Sequence, residues 1–179
     1  PTVITADISQ EVIGVYARVG ENVKKGQLLA MLNPLEIERT IRRVKAELLL
    51  ERISRDLLKS QLILRKAKVT RAKRLRDKKA LSQDSYETTK ILELQVEQEL
   101  AQREYNIKKL ELSLEQSLED LKATRIVSPI RGNLIEISVQ KGALLEKGHQ
   151  IGAVFNQLAS EIETNLRADL AAKTIIGSK

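Results

Sequence analysis

Hydrophobic residues follow different spacings along this 179-residue chain, and the spacings divide it into segments. In residues 1–32, apolar runs such as Val12–Val15 alternate with glycine turns at Gly20 and Gly26, which is typical of short β-strands. From residue 33 to residue 123 the apolar residues recur every three or four positions, with no glycine and with Pro34 as the single proline. This spacing predicts long helices. After residue 123 the β-type pattern returns.

The first helix is predicted to cover residues 33–80. Asn33 suits the N-cap and Pro34 the first helical position, and Glu36 would complete a capping box. The apolar stripe is expected to begin with Ile37, Ile41, Val44 and Leu48 and to continue as a heptad row of Leu50, Leu57 and Leu64. Leu58, Leu62 and Val69 are expected to widen this stripe. A helix of about 45 residues would be about 68 Å long at 1.5 Å per residue.

A tight reversal is predicted at residues 79–83, with a return helix over residues 82–123. Because the turn has neither glycine nor proline, Ser82 is expected to act as the N-cap, and Leu81 and Tyr86 to form a hydrophobic staple. The apolar positions of the return arm are Leu92, Val96, Leu100, Ile107, Leu110, Leu114, Leu118 and Leu121. Two arms of nearly equal length joined by one turn predict an antiparallel coiled-coil hairpin.

The two β-rich segments, residues 1–32 and 124–158, repeat each other at an offset of 122 residues. The matched pairs are Gly20 with Gly142, Gly26 with Gly148, Ile13 with Ile135, Val15 with Ile137, Val23 with Leu145, Leu29 with Ile151 and Leu32 with Val154. Neither segment has enough apolar surface to fold alone. The predicted fold class is therefore α+β, one β-sandwich of two similar halves with the helical hairpin inserted between them. Residues 159–179 are expected to open a further, incomplete β domain.

Composition argues against an enzyme. Charged residues make up 31% of the chain and aromatic residues 2%, which favours long helices over a large globular core. The absence of cysteine excludes disulfides and zinc–thiolate sites. No glycine loop precedes a helix to hold phosphate, and the single histidine, His149, follows a glycine turn and is expected at the surface. No cofactor and no metal site is expected.

Positive charge is concentrated before the predicted turn. The formal net charge is +7, and nine of the fifteen residues from Arg65 to Lys79 are lysine or arginine, with Asp77 as the only acid. Such a run can be a solvated helix face, or it can bind an acidic protein surface or a nucleic acid. No aromatic residue or glycine is interleaved to stack bases or clamp a backbone, which disfavours nucleic acid.

Several motifs carry a family resemblance. Residues 23–32, VKKGQLLAML, resemble biotinyl and lipoyl domains, and residues 124–132, TRIVSPIRG, resemble the segment that opens the second half of the split domain in periplasmic adaptors. These adaptors, also called membrane fusion proteins of the HlyD-like superfamily, carry an α-helical hairpin between two halves of a lipoyl-like domain. Arg71, Leu75 and Ser82 match the spacing of adaptor residues that dock on TolC-type outer-membrane channels. The turn, ALSQDSYETT, is most similar to that of the macrolide-exporter adaptors.

The resemblance implies a subunit that bridges an inner-membrane transporter and a TolC-type outer-membrane channel. It implies a periplasmic location, attachment to the inner membrane, and a homo-oligomeric ring of six in which the hairpins form a tube. An ABC transporter is the expected partner, with an RND pump or a type I secretion system as the alternative. It also implies that the loop at Gln140 and Lys141 projects into the ring as a gate.

A carrier domain for lipoate or biotin is the alternative from another class. Such domains present a lysine on the tight turn between their two halves. Here Ala30–Asn33 runs directly into the predicted helix, so the sequence retains no lysine at that turn. The sequence therefore favours the adaptor, although it contains no feature that selects the exported cargo.

Overall fold

The computed structural model describes residues 1–156, which form eight β-strands and two α-helices. The strands are β1 (Thr2–Thr5), β2 (Gln10–Val15), β3 (Asn22–Val23), β4 (Leu28–Leu32), β5 (Arg125–Val127), β6 (Gly132–Ile137), β7 (Leu144–Leu145) and β8 (Gln150–Phe155). Helix α1 covers Leu35–Asp77 and helix α2 covers Gln83–Ala123. The predicted α+β fold, with a helical hairpin between two sets of strands, is confirmed. The further β domain expected over residues 159–179 lies outside the described residues.

The strands form two four-stranded antiparallel sheets, and each sheet takes two strands from each half of the chain. One sheet has the order β1-β8-β6-β3 and the other β5-β4-β2-β7. Each strand of the first sheet is equivalent, at the offset of 122 residues, to the strand in the same place of the second sheet: β1 to β5, β8 to β4, β6 to β2 and β3 to β7. The two halves are therefore interlocked, which goes further than the sequence prediction that they fold against each other.

Backbone hydrogen bonds in the loops of the two halves are also equivalent at the offset of 122 residues, so the halves are related by pseudo-twofold symmetry. The matched bonds are Gly20 N to Leu134 O (2.7 Å) with Gly142 N to Val12 O (2.8 Å), and Gly26 N to Ser128 O (2.7 Å) with Gly148 N to Ala6 O (2.7 Å). All four glycines have φ between +82° and +88°. This left-handed conformation is strained for residues with a Cβ, which explains why glycine recurs at this spacing in both halves.

The core lies between the two sheets, with equivalent residues of both halves side by side. Its fully buried apolar residues are Val12, Val23, Leu29, Leu32, Leu134, Ile151 and Val154. Ile13 and Ile135, which match at the offset of 122 residues, both fall in β-bulges at equivalent places in their strands. Ile135 is 48% exposed, and the preceding residues of the two strands, Val12 and Leu134, fill the core instead.

The two helices pack along a regular seam. On α1 the buried or half-buried positions alternate in steps of three and four: Ile41, Val44, Leu48, Glu51, Arg55, Leu58, Leu62, Arg65, Val69, Ala72 and Arg76. On α2 the same pattern, with one step of seven residues at exposed Arg103, is formed by Tyr86, Thr89, Glu93, Val96, Leu100, Ile107, Leu110, Leu114, Ser117 and Leu121. Ion pairs cross between the helices, such as Lys66 with Glu97 at 3.0 Å and Glu51 with Arg103 at 3.2 Å. The pattern is the heptad repeat of a coiled coil.

The predicted heptad row of Leu50, Leu57 and Leu64 is not part of this seam. These leucines are 65%, 60% and 66% exposed. Leu50 follows the seam residue Leu48 by two positions, which is about 200° around a helix with 3.6 residues per turn. Sequence reasoning merged this row with the seam, because charged Glu51, Arg55 and Arg65 interrupt the apolar residues of the seam.

The start of α1 also differs from the prediction. The N-cap is Pro34, whose side chain makes no capping hydrogen bond, while the Asn33 side chain accepts from the Leu35 N–H at 3.1 Å. The capping box does not form, because the Asn33 N–H donates to the carbonyl of Glu11 and the Glu36 carboxylate pairs with Arg39 at 2.7 Å. The Asn33 N–H, which the capping box would need as its donor, is thus already hydrogen-bonded to strand β2.

Candidate docking site at the hairpin tip

The turn between the helices is closed by the backbone alone. The Lys79 N–H donates to the Arg76 carbonyl and the Ala80 N–H donates to the Leu75 carbonyl, each at 2.8 Å. Lys79 has a φ of 58°, the left-handed conformation that a Schellman motif places just past a helix end. Glycine normally occupies this position, so Lys79 holds the turn at a conformational cost of about 1 kcal/mol.

Ser82 caps the second helix, as predicted. Its backbone is extended, at φ −68° and ψ 154°, and its Oγ accepts from the Ser85 N–H at 3.2 Å. The Ser82 and Ser85 hydroxyl groups are also hydrogen-bonded to each other, with their oxygens 2.8 Å apart. The side chain of Ser82 is therefore engaged twice within its own helix.

Arg76 joins the two helices at the outer end of the seam. Its guanidinium lies over the ring of Tyr86, 4.3 Å from the centroid, and donates twice to the Asp77 carboxylate at 3.1 and 2.7 Å. The hydrogen bond to Asp77 raises the pKa of Arg76. The predicted staple of Leu81 with Tyr86 stays a prediction, and the structure adds a contact of the Tyr86 ring with Arg76.

Arg71 and Leu75 lie on the solvent-facing side of α1. Both are exposed, Leu75 by 40%. Arg71 extends the exposed row of Leu57 and Leu64, and it forms no ion pair or hydrogen bond with any residue in the described part of the chain. The tip thus presents an arginine and, one turn farther, a partly exposed leucine, and neither residue belongs to the seam between the helices.

Most of the positive charge at the tip is not neutralised by the hairpin itself. Of the nine bases between residues 65 and 79, Lys66 pairs with Glu97 and Arg76 with Asp77. The others make no ion pair within residues 1–156, and they are Arg65, Lys68, Arg71, Lys73, Arg74, Lys78 and Lys79. A surface of this kind attracts an acidic partner over roughly a Debye length.

Two exposed apolar rows run along the outer edges of the hairpin. The α1 outer row consists of Leu50, Ile53, Leu57 and Leu64, and the α2 outer row consists of Ile91, Leu94, Tyr105 and Leu112. The steps between neighbouring members are 3, 4 and 7 residues in the α1 outer row and 3, 11 and 7 residues in the α2 outer row. Each row is shifted by two residues from the seam, so it lies on the opposite side of its helix. Sequence reasoning merged the first row with the seam and missed the second, although this phase shift is visible in the sequence.

The loop at Gln140 and Lys141 is a surface turn. Both residues are exposed, and the Gln140 carbonyl accepts from the Ala143 N–H at 3.1 Å. The pseudo-symmetric turn at Arg18 is closed in the same way, with Glu21 N donating to Arg18 O at 3.1 Å. The fold therefore presents two similar turns with different side chains.

Neither a metal centre nor a membrane span is found in residues 1–156. No cluster of three or more histidine, cysteine, aspartate or glutamate side chains there is arranged to bind a metal ion. The long helices of this region are too polar to cross a bilayer. Within the described residues, the side chains available to a partner are therefore the unpaired bases of the tip and the exposed apolar residues of the outer rows.

Comparison with known proteins identifies this arrangement of split β-sandwich and hairpin. The family model for the RND MFP, barrel-sandwich hybrid domain matches residues 2–157. The chain belongs to this membrane fusion protein family. The predicted family resemblance is confirmed.

Individual relatives of this membrane fusion protein agree with that assignment. It is 29% identical over 140 residues to the macrolide export protein MacA of Escherichia coli O157:H7, covering 78% of this chain and 38% of that protein. It is 27% identical over 147 residues to the antibiotic efflux pump periplasmic linker protein ArpA of Pseudomonas putida, covering 80% of this chain and 32% of that protein. The crystal structure of MacA from Actinobacillus actinomycetemcomitans matches with a TM-score of 0.78 at 26% identity, covering 86% of this chain and 49% of that one. The chain thus spans less than half the length of these relatives.

Proposed function

We propose that this chain is the adaptor part of a tripartite export pump and that it contacts a TolC-type outer-membrane channel through its hairpin tip. The names of its relatives, a macrolide export protein and an efflux pump periplasmic linker, support an adaptor of this kind. In this role the protein catalyses no reaction. It acts in the periplasm, attached to the inner membrane, and joins two membrane proteins.

The observation that carries the proposal is the exposed, basic tip at the end of a long and well-ordered arm. Helix α1 has 43 residues and so extends about 65 Å from the β-sandwich. The backbone-closed turn and the Ser82 cap fix the far end of the arm. A rigid turn at that distance, with seven bases unpaired within the hairpin, fits a surface that docks on an acidic partner.

Each tip residue has a distinct role in this proposal. The Arg71 guanidinium offers forked donors to a carboxylate or to backbone carbonyls of a channel helix. Leu75 supplies an apolar contact one turn farther along α1, and Ser82 holds the start of α2. The remaining bases steer the approach.

A ring of identical copies follows from the two outer rows, because an apolar row of this length is unusual on a monomer. The α1 row of one copy would pack against the α2 row of the next, which is a heterologous contact of the kind that closes into rings. The ion pair between Lys59 and Glu104 marks residues at the same height on the two helices. Six copies are proposed from the family resemblance.

The finer assignments follow from the same family resemblance. The inner-membrane partner is proposed to be an ABC transporter, on the likeness to the macrolide export protein, and not an RND pump or a type I secretion system. We assign residues 1–32 and 124–158 to the lipoyl-like domain and residues 33–123 to the hairpin. The exposed turn at Gln140 and Lys141 is proposed to project into the lumen of the ring and to act as a gate.

Export by cells carrying the full-length protein tests the tip. We expect Arg71→Ala to abolish export while the helix content remains that of the wild type, and Arg71→Lys to restore it only in part, since lysine lacks the forked geometry. Normal export by the Arg71→Ala strain would show that docking through this arginine is wrong. A full-length protein that instead binds DNA with a steep salt dependence, and no channel, would favour the nucleic-acid alternative.

A further inference from the structure

Both outer edges of the hairpin change from apolar to charged near the tip, and they take opposite charges. On α1, the exposed residues that follow the seam residues Val69, Ala72 and Arg76 by two positions are Arg71, Arg74 and Lys78. On α2, the exposed residues that precede the seam residues Tyr86 and Thr89 by two positions are Asp84 and Glu87. Two residues correspond to about 200° around a helix, so all five lie opposite the seam. The α1 edge thus ends in bases and the α2 edge in acids.

These charges are not neutralised within the hairpin. None of the five forms an ion pair with another residue in the described part of the chain. The Glu87 carboxylate accepts a hydrogen bond from the neutral side chain of Gln83 at 2.7 Å. The bases and the acids lie on opposite sides of a pair of helices, each about 10 Å wide, so those of one copy cannot meet each other.

Ion pairs between the helices show which residues lie at the same height along the arm. Steps of seven residues separate Arg52, Lys59 and Lys66 on α1, and steps of seven also separate their partners on α2, which are Glu111, Glu104 and Glu97. The contact of Arg76 with Tyr86 continues this register to the tip within one residue. Helix α1 and helix α2 therefore keep one alignment from the middle of the hairpin to its turn.

This alignment places the acids of α2 level with the last bases of α1. Glu87 lies at the height of Arg76, between Arg74 and Lys78, and Asp84 lies at the height of the residue after Lys78. Arg71 lies nearer the β-sandwich, about 7 Å from Glu87 along the arm at 1.5 Å per residue.

We propose that Arg74 and Lys78 of each copy form ion pairs with Glu87 and Asp84 of the next copy, and we call this set of contacts the tip collar. The inference rests on the proposed ring, in which the two outer rows meet, and it extends that contact to the end of the arm. Copies in a closed ring are related by rotation about one axis, so residues of equal height face each other. Arg71 has no acid at its height and keeps its proposed contact with the channel.

A second copy of this chain is the partner that matches both charges. An acidic partner would attract the bases of α1 but repel Asp84 and Glu87, whereas an identical copy brings an acidic edge to each basic edge. Exposed ion pairs are individually weak, so their main effect is on specificity. Packing α1 against α1, or α2 against α2, would bring like charges together, and the tip collar therefore favours the head-to-tail order that a ring requires.

Disulfide trapping tests the contact, because the chain contains no cysteine of its own. One full-length copy carries Arg74→Cys, a second carries Glu87→Cys, and the two are mixed in detergent under mild oxidation. We expect disulfide-linked heterodimers from the mixture and few homodimers from either copy alone. Leu57→Cys mixed with Tyr105→Cys, a pair at equal height in the two outer rows, reports on the ring itself.

Charge reversal tests the ion pairs. Arg74→Glu and Glu87→Lys should each raise, roughly three- to tenfold, the protein concentration at which half of the copies are assembled in sedimentation velocity. The double variant should recover most of this loss. The difference between Arg74→Glu and the wild type should shrink at about 1 M salt, where the Debye length is about 3 Å. Lys73→Glu is the matched control, because Lys73 is also exposed and unpaired but lies beside the seam.

Three results would overturn the inference in different ways. If the pair at 57 and 105 formed cross-links and the pair at 74 and 87 did not, the ring would be right and the tip collar wrong. If Arg74→Glu assembled like the wild type but bound a purified TolC-type channel more weakly, Arg74 would face the channel instead. If the wild-type protein stayed monomeric at every concentration and neither pair formed cross-links, the proposed ring would be wrong and the tip collar with it.

Discussion

The guanidinium of Arg76 lies 4.3 Å from the centre of the Tyr86 ring, and this contact ties the end of α1 to the start of α2. Arg76 is the last residue of the α1 seam, and Tyr86 is the first of the α2 seam. A cationic residue thus closes a coiled-coil seam at a place where an apolar residue would be expected. The turn beyond it carries the proposed contacts.

We expect Tyr86→Leu to loosen the tip, because leucine keeps apolar bulk but cannot hold the guanidinium through its π-face. Amide hydrogen exchange should become faster over residues 76–86 and remain unchanged in the β-sandwich. Tyr86→Phe retains the ring and should exchange like the wild type. Equal exchange in all three proteins would show that the contact contributes nothing to local stability.

Replacing Lys79 by glycine should stabilise the protein. Lys79 has a φ of 58°, so glycine removes a steric cost of about 1 kcal/mol. The free energy of unfolding in urea should rise by about that amount. The control is Lys78→Gly, because Lys78 has an ordinary φ of −85° and glycine there only adds flexibility to the unfolded chain. A gain in stability at both positions would contradict this explanation.

Neighbouring leucines of α1 should respond differently to the same substitution. Leu57 belongs to the α1 outer row and is 60% exposed, so Leu57→Glu should change the free energy of unfolding by less than about 0.5 kcal/mol. It should nevertheless weaken assembly of the full-length protein, which sedimentation velocity measures. Leu58 lies in the seam, and Leu58→Glu should cost roughly 2–4 kcal/mol, because it places a charge between the helices. The row would have no role in assembly if Leu57→Glu left the oligomer intact.

The gate can be tested against its own pseudo-symmetric counterpart. If the Gln140 turn lines the lumen, Gln140→Ala and Lys141→Ala should change the export rate without changing ring assembly. Arg18→Ala alters the turn that is equivalent in backbone structure and should leave export unchanged. Identical effects at Arg18 and Gln140 would argue against a specific gate.

The sequence predicted the larger features of this fold, because those features depend on spacing. The glycine pairs and the offset of 122 residues identified the duplicated halves, and the Ser82 cap located the turn. The seam was harder to predict, since Glu51 and Arg55 occupy it while Leu50 and Leu57 face solvent. A hydrophobic residue on a helix indicates that some surface is to be buried, but it does not say whether that surface belongs to the same chain.

The local chemistry of the tip could be predicted only in part. Ser82 was expected both to cap its helix and to form a contact, and the structure shows its hydroxyl capping the Ser85 N–H and hydrogen-bonded to the Ser85 hydroxyl. Arg76 was hidden within a run of similar bases, because it differs from them through its contacts with Tyr86 and Asp77 and not through its residue type. Such distinctions depend on which donor meets which acceptor, and residue type alone does not determine that.

The interlocked halves of the β-sandwich also constrain how the protein folds. Neither sheet can close until residues 124–155 have been synthesised, because each sheet needs strands from both halves. The Leu32 N–H donates to the Thr124 carbonyl at 2.8 Å, so the hairpin brings together two strand ends about ninety residues apart in sequence. Forming the helices first replaces a long, entropically costly loop closure by a short one. The arm that extends toward a partner is therefore also the element that allows the domain at its base to fold.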